Sequence, residues 1–274
     1  DWEKHRTIPF LQVPIGTGNA LAASSGILNP ITALYTAIHG EVVPLDVASV
    51  LQPPLRRFSF LSTYIGLMSN LDVGTDNLRW MGDIRFTFGA VKDVLKGTRH
   101  TARVAYIPTG AQASGDRTEG GTLSEACAAG KGVQPPVCPW LDMLPAGDGK
   151  IPGHLPAPWV ELDQDSFQLL AATNLPRIAS SGGFLTPHQQ HNSGSYTLIY
   201  NSECSFPRQL EILLGIDTGE HIHSSHIHTA DIQALALEPI RTNSEVVVDG
   251  EVAAPQALFL EVHPHLCRAL THPT

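Results

Sequence analysis

At 274 residues the chain is long enough for one large or two modest domains with a real core. Its 26 acidic against 17 basic residues give a net charge of −9, which argues against a general nucleic-acid binder, because a phosphate backbone needs a basic face. No run of the sequence approaches the roughly 18–20 apolar residues of a membrane-spanning helix. The four cysteines (Cys127, Cys138, Cys204, Cys267) form no Cys-x-x-Cys pair, so reduced thiols in an intracellular, cytoplasmic setting are expected. The opening DWEKHRTIPF has no apolar signal-peptide core. It starts on Asp1 rather than Met, close to an apolar run that reads as a buried strand, so a piece of a longer protein is expected.

Residues 1–40 read as a strand, a glycine turn, a helix over Asn19 to Ser25 and a second helix over PITALYTAIHG, which is α/β character. The turn is Gly16-Thr17-Gly18-Asn19. Two readings stand for it. Glycines let the backbone come close to a phosphate, and the first N–H groups of a helix point at negative charge. The same four residues are also an ordinary turn that starts a helix with Asn19 as its cap.

From Glu41 onward short apolar runs alternate with turn residues: EVVPLDVASVL, FSFLSTYIGL, RVAYIP, SFQLLAATN, SYTLIYN, DIQALALEP, SEVVVDGEVA and ALFLEVHP. This spacing predicts a β-sandwich or a partly closed barrel. One helical stretch, TDNLRWMGDIRFTFGAVKDVLKG, interrupts it, with Gly82 set to bend or divide it. Residues 110–158 are rich in Gly, Ala, Ser and Pro and are expected to form a largely disordered insertion. In VVVDGEV, Asp249-Gly250 between β-branched residues predicts a two-residue hairpin turn, and Glu251 follows it.

Three polar groups could carry chemistry. Asp72 follows an apolar run and could hold a cationic or hydroxylated ligand, or be a plain turn aspartate. Arg79 and Arg85 lie about 120° apart on a straight helix and meet at one phosphate only if the helix breaks at Gly82. Otherwise they are two surface arginines. The run EHIHSSHIH places His221, His223, His226 and His228 within eight residues. That is a zinc site if the pairs chelate, or exposed histidines, since no acidic or Cys ligand stands at a characteristic spacing.

In this order, PIGTGNALAAS, FSFLSTYIGLMSNLDVGTDNLRWMGDIRFTFGAV, ARVAYIP, LLAATNLPRIASS, GEHIHSSHIHTADIQALALEP and VVVDGEVAAPQALFLEVHPHLCRAL resemble the fungal-type sphingoid long-chain-base kinases (sphingosine kinases) of the diacylglycerol kinase catalytic superfamily. The resemblance covers nearly the whole chain outside 110–158. It implies a mainly β fold with an α/β N-terminal remnant: residues 1–40 as the C-terminal part of a Rossmann-like nucleotide-binding domain, and 41–274 as a β-sandwich lipid-binding domain with the 110–158 insertion. It further implies a lipid kinase that uses ATP and Mg²⁺ to phosphorylate the primary hydroxyl of sphingosine, sphinganine or phytosphingosine, visiting a membrane surface only transiently and peripherally. An apolar tunnel for the lipid tail is expected between the sheets. A kinase for ceramide or diacylglycerol, and a truncated non-catalytic lipid-binding module, are the alternatives.

Residue by residue, the resemblance places Gly16, Thr17, Gly18 and Asn19 near the nucleotide phosphates and Arg79 and Arg85 on them. It puts Asp249, Gly250 and Glu251 on the nucleotide side, Asp72 on the amine and hydroxyl of the sphingoid head, and Ser62 beside that head. Three departures matter. The family's Gly-Gly-Asp-Gly segment, which supplies the catalytic base, does not occur in these 274 residues. The base is therefore expected upstream of Asp1, and this chain is expected to be inactive by itself. Ser193-Gly194 stands where the family has Asp-Gly, and Asn70 where it has an acid.

Overall fold

A computed structural model describes residues 6–16, 18–66, 99–112, 122–127, 136–145, 149–179, 182–240 and 245–273. Thr17, Asn70, Asp72, Arg79, Arg85 and the helical stretch expected over 75–97 lie outside the described residues.

The chain begins with the short strand β1 (Pro9–Phe10), helix α1 (Ala20–Ser24) and helix α2 (Pro30–His39). Asn29 caps α2, its Oδ1 accepting the N–H of Thr32 at 2.8 Å, and Pro30 supplies a pre-set φ at the first helical position. Then come β2 (Glu41–Gln52), β3 (Leu55–Ser59), β4 (Ser62–Gly66) and β5 (His100–Pro108), followed by the short helix α3 (Leu123–Ala126). The next strands are β6 (Val160–Glu161), β7 (Ser166–Phe167), β8 (Leu169–Thr173), β9 (Arg177–Ala179), β10 (Gly182–Phe184) and β11 (Tyr196–Asn201). Helix α4 (Phe206–Gly215) precedes β12 (Ile227–Pro239), β13 (Val246–Val248), β14 (Glu251–Val252) and β15 (Leu258–Thr271).

The fold is mainly β. A curled sheet runs in the order β14-β13-β4-β8-β11-β12-β15-β2-β3, and β5 also pairs with β12. Strand β12 makes the curl. Its first half pairs with β11 (Tyr196↔Ile232 to Asn201↔Ile227), and past the irregularity at Ile232/Ala234 it pairs with β5 on one side and β15 on the other. The inner faces of both halves meet in one core, with Val50, Ile65, Val104, Leu170, Leu198, Leu235 and Leu260 all sealed from solvent. At the other end of the chain, β1 pairs in parallel with β15 (Pro9↔Arg268, Phe10↔Ala269), so the α/β start is stitched to the long terminal strand.

The 110–158 stretch departs from expectation over its described parts. Leu123, Cys138, Trp140, Leu141, Leu144 and Ile151 are buried against Ala105, Ile107, Ala234, Ala236 and Phe259 of the sheet. Thr122 and Glu125 form a reciprocal capping box on α3. The buried carboxyl group of Glu261 on β15 accepts the N–H groups of Trp140 at 3.1 Å and Leu141 at 2.9 Å. Arg56 donates to the carbonyl of Pro136 and the hydroxyl of Ser49, each at 2.7 Å, fastening the same segment from β3. The low average hydrophobicity hides a few large apolar residues that find a sheet face of small alanines. A short run of that kind packs well even when its neighbours are Gly and Pro.

Candidate functional site

The Asp249-Gly250 turn is present as the sequence predicts. Both residues have positive φ (51° and 88°), and β13 and β14 flank them. The turn does more than reverse the chain. Strand β13 pairs with β4 (Val248↔Thr63), which brings Asp249 onto the Ser59–Ser62 corner between β3 and β4. Its Oδ1 accepts the hydroxyl of Ser59 at 2.8 Å and the N–H groups of Leu61 at 3.1 Å and Ser62 at 2.9 Å. Its Oδ2 accepts the N–H of Phe60 at 3.1 Å, and its own N–H donates to the Ser62 carbonyl at 2.8 Å. Burial pushes the Asp249 carboxyl above its usual range, and these four donors pull it back toward the anion.

The carbonyls of the same corner are held from beneath. Tyr196 Oη, fully buried, donates to the Ser59 carbonyl at 3.0 Å. Asn174, also fully buried, donates its amide to the carbonyls of Phe60 and Asp46, and its backbone N–H to that of Leu61. Ser62, the first residue of β4, leaves this corner half-buried with no side-chain hydrogen bond among the described residues. Gly250 and Glu251 stand exposed at the tip of the hairpin.

The helix that follows the glycine loop shares a cluster with this corner. Leu21 of α1 shares an apolar cluster with Leu175, Phe58 and Leu61. Gly16 and Gly18 do not sit at positive φ, and a Cβ on Gly18 would meet no atom within 4 Å. Asn19 stands at the N-cap position that the sequence suggests, but its side chain caps no helical N–H. It sits in the left-handed region at φ 52°, and its side chain donates back to the Gly16 carbonyl. The side chain of Gln12 does the capping instead, accepting the N–H of Ala22 at 2.8 Å.

The β13–β4 pairing and the Asp249 bonds thus bring Ser62, Asp249, Gly250 and Glu251 to one corner of the sheet, while Gly16, Gly18 and Asn19 lie in the loop that leads into α1. Sequence reasoning missed Asn174, Tyr196 and Gln12. No local pattern marks them, since each acts on a partner distant in the chain. The histidine run is different again. His221 is buried on a short 3-10 turn, with Nε2 2.9 Å from the Leu185 carbonyl and Nδ1 3.3 Å from that of Gly215, and burial lowers its pKa. His228 stacks on Tyr200. Among the described residues no group of three His, Cys, Asp or Glu could hold a metal ion.

Comparison with known proteins agrees in fold and sequence. No family model matches the chain. It is 25% identical over 270 residues to sphingosine kinase 2 of Arabidopsis thaliana, covering 93% of this chain and 52% of that protein. It is 26% identical over 282 residues to human sphingosine kinase 1, covering 97% and 68%. It is 23% identical over 319 residues to sphingoid long chain base kinase 5 of Saccharomyces cerevisiae, covering 96% and 46%. The chain therefore spans about half the length of the plant and yeast relatives and about two thirds of the human one. A crystal structure of a diacylglycerol kinase from Bacillus anthracis str. Sterne superposes with a TM-score of 0.54 at 12% identity, over 95% of this chain and 66% of that one, and shares the fold.

Proposed function

We propose that this chain, a member of the sphingoid long-chain-base kinase family within the diacylglycerol kinase-like superfamily, serves the transfer of the ATP γ-phosphoryl group to the primary hydroxyl of a sphingoid base. The observation that supports the reading is the corner where the exposed Gly250-Glu251 tip and Ser62 meet around one fixed turn.

Bound ATP would supply the phosphoryl group, and Mg²⁺ would offset its charge. The residues here bind and orient. Gly16 to Asn19 offer backbone N–H groups to phosphate oxygens without side chains in the way. Arg79 and Arg85 add forked, charge-assisted donors to the same phosphates. Gly250 and Glu251 close the nucleotide side. Asp72 pairs with the ammonium of the lipid head, and Ser62 offers its hydroxyl beside it. Phosphoryl transfer depends chiefly on such positioning and charge neutralisation. The proton acceptor is assigned to the Gly-Gly-Asp-Gly segment of the family, so turnover is expected of a polypeptide that carries that segment and not of these 274 residues alone.

In this reading residues 1–40 belong with the nucleotide-binding part and the curled sheet from Glu41 with the lipid part. The substrate is a lipid, so contact with a membrane surface is transient and peripheral, from the cytoplasmic side. No helix among the described residues is long and apolar enough to cross a membrane. The test is phosphate transfer from γ-labelled ATP by the full-length protein, offered sphinganine, ceramide and diacylglycerol in turn. Labelled sphinganine phosphate as the dominant product supports the reading. Preferential labelling of diacylglycerol or ceramide shifts the substrate, and no labelled lipid at all rejects a kinase.

A further inference from the structure

The resemblance puts Asp249 among the nucleotide-side residues, yet its carboxylate faces the other way. Its oxygens accept four donors from the Ser59–Ser62 corner, three on Oδ1 and one on Oδ2. The rest of that corner is held as completely: Tyr196 takes the Ser59 carbonyl, Asn174 those of Phe60 and Leu61, and Asp249 N–H that of Ser62. A carboxylate with four donors from its own chain has little acceptor capacity left for a cation or a ligand. What it fixes is the start of β4, the strand that begins on Ser62.

We propose that Asp249 is a positioning residue, tying the hairpin tip at Gly250 and Glu251 to the corner that presents Ser62, so that the nucleotide side and the lipid side hold one relative geometry. This rests on the kinase reading for what the two sides bind, but the tie itself does not. Nucleotide contact belongs to the exposed Gly250 and Glu251, not to the Asp249 carboxylate.

Asp249→Asn separates the two roles. An amide oriented with its oxygen at the Oδ1 position keeps the three bonds from Ser59, Leu61 and Ser62 and loses that from Phe60, where donor would face donor. It also tolerates the positive φ. A positioning role therefore survives the loss of charge in large part, whereas a ligand role for the anion does not. In the full-length protein, Asp249→Ala is expected to speed amide exchange of Phe60, Leu61 and Ser62 by about tenfold or more, while β11 and β12 stay protected. It is expected to raise KM for sphinganine by about tenfold and leave KM for ATP within about twofold. Asp249→Asn should keep Leu61 and Ser62 protected and hold KM for sphinganine within about threefold of wild type. Ser59→Ala, which removes one bond and keeps the fold, should give a smaller rise in exchange at the same amides.

Equal, large rises in KM for ATP in the Ala and Asn variants would overturn the proposal and make Asp249 a ligand. Unchanged exchange at 60–62 in Asp249→Ala overturns it whatever the kinetics. Failure of the wild-type protein to phosphorylate any lipid rejects the kinase reading. The exchange of residues 60–62 then decides the tie by itself, a rise upholding it and no change refuting it.

Discussion

Glu261 on β15 and Leu141 in the 136–145 segment meet across 120 positions of sequence, the buried carboxyl group accepting the Leu141 N–H at 2.9 Å. Burial pushes the Glu261 carboxyl up to about 8, Asp142 adds to the rise, and Arg56 and the two N–H donors oppose it. Two positions on, burial holds His263 down to about 4. These shifts act on stability in opposite directions. A folded-state pKa above the unfolded value of 4.5 makes Glu261 favour folding at low pH, a contribution lost as pH rises toward 8. His263, depressed below its ordinary 6.5, adds stability as pH rises from about 4 to 6.5 and nothing further above that.

Between pH 6.5 and 8 the Glu261 effect therefore stands alone of the two, and the melting temperature is expected to fall across that window. The slope is at most ~1.4 kcal/mol per pH unit, one proton's worth. Glu261→Gln keeps an acceptor for Trp140 and Leu141 and cannot ionise, so its melting temperature should be flat there. Thermal melts of both proteins at several pH values check this; an equal slope in the two would assign the effect to another group.

Helix α2 turns an apolar face outward, with Ile31 82%, Leu34 66% and Ile38 69% exposed. Such a patch on a helix that packs only lightly is a low-stability element. In the 274-residue chain, amides of 30–39 are expected to exchange far faster than those of β11 and β12. In a full-length protein whose nucleotide-binding part covers this face, they should slow. Equal protection of both segments in the 274-residue chain contradicts the assignment of residues 1–40 to a domain completed by other parts of the protein.

Arg79→Ala and Arg85→Ala each remove a charge-assisted phosphate contact in the proposed site. In the full-length enzyme KM for ATP should rise about ten- to a hundredfold for each, with lipid binding little changed. Wild-type kinetics toward ATP in both variants would return these arginines to the solvated surface.

What the sequence made legible were features whose signal is local. Asp249-Gly250 between valines is a turn because only certain residues accept two successive positive φ values, and the hairpin stands where predicted. The alternating runs became strands for the same reason, although FSFLSTYIGL splits at Phe60–Leu61 into two. Long-range partnerships were not legible. Nothing in LLAATNLP marks Asn174 as the residue beneath the Phe60 carbonyl, 114 positions away. Nor does EVVPLDV mark Asp46, whose buried carboxylate accepts the N–H groups of Gly194 and His265.

In the proposed function the lipid carries a free amine and Asp72 grips it. Asp72→Asn in the full-length protein tests this most directly, because the amide keeps the size and loses the charge. An amide nitrogen then faces an ammonium that can only donate. The account predicts that kcat/KM for sphinganine falls by about thirtyfold to a thousandfold, with ATP affinity and melting temperature almost unchanged. Sphinganine phosphorylation that survives within about twofold would contradict it and leave a neutral lipid as the substrate.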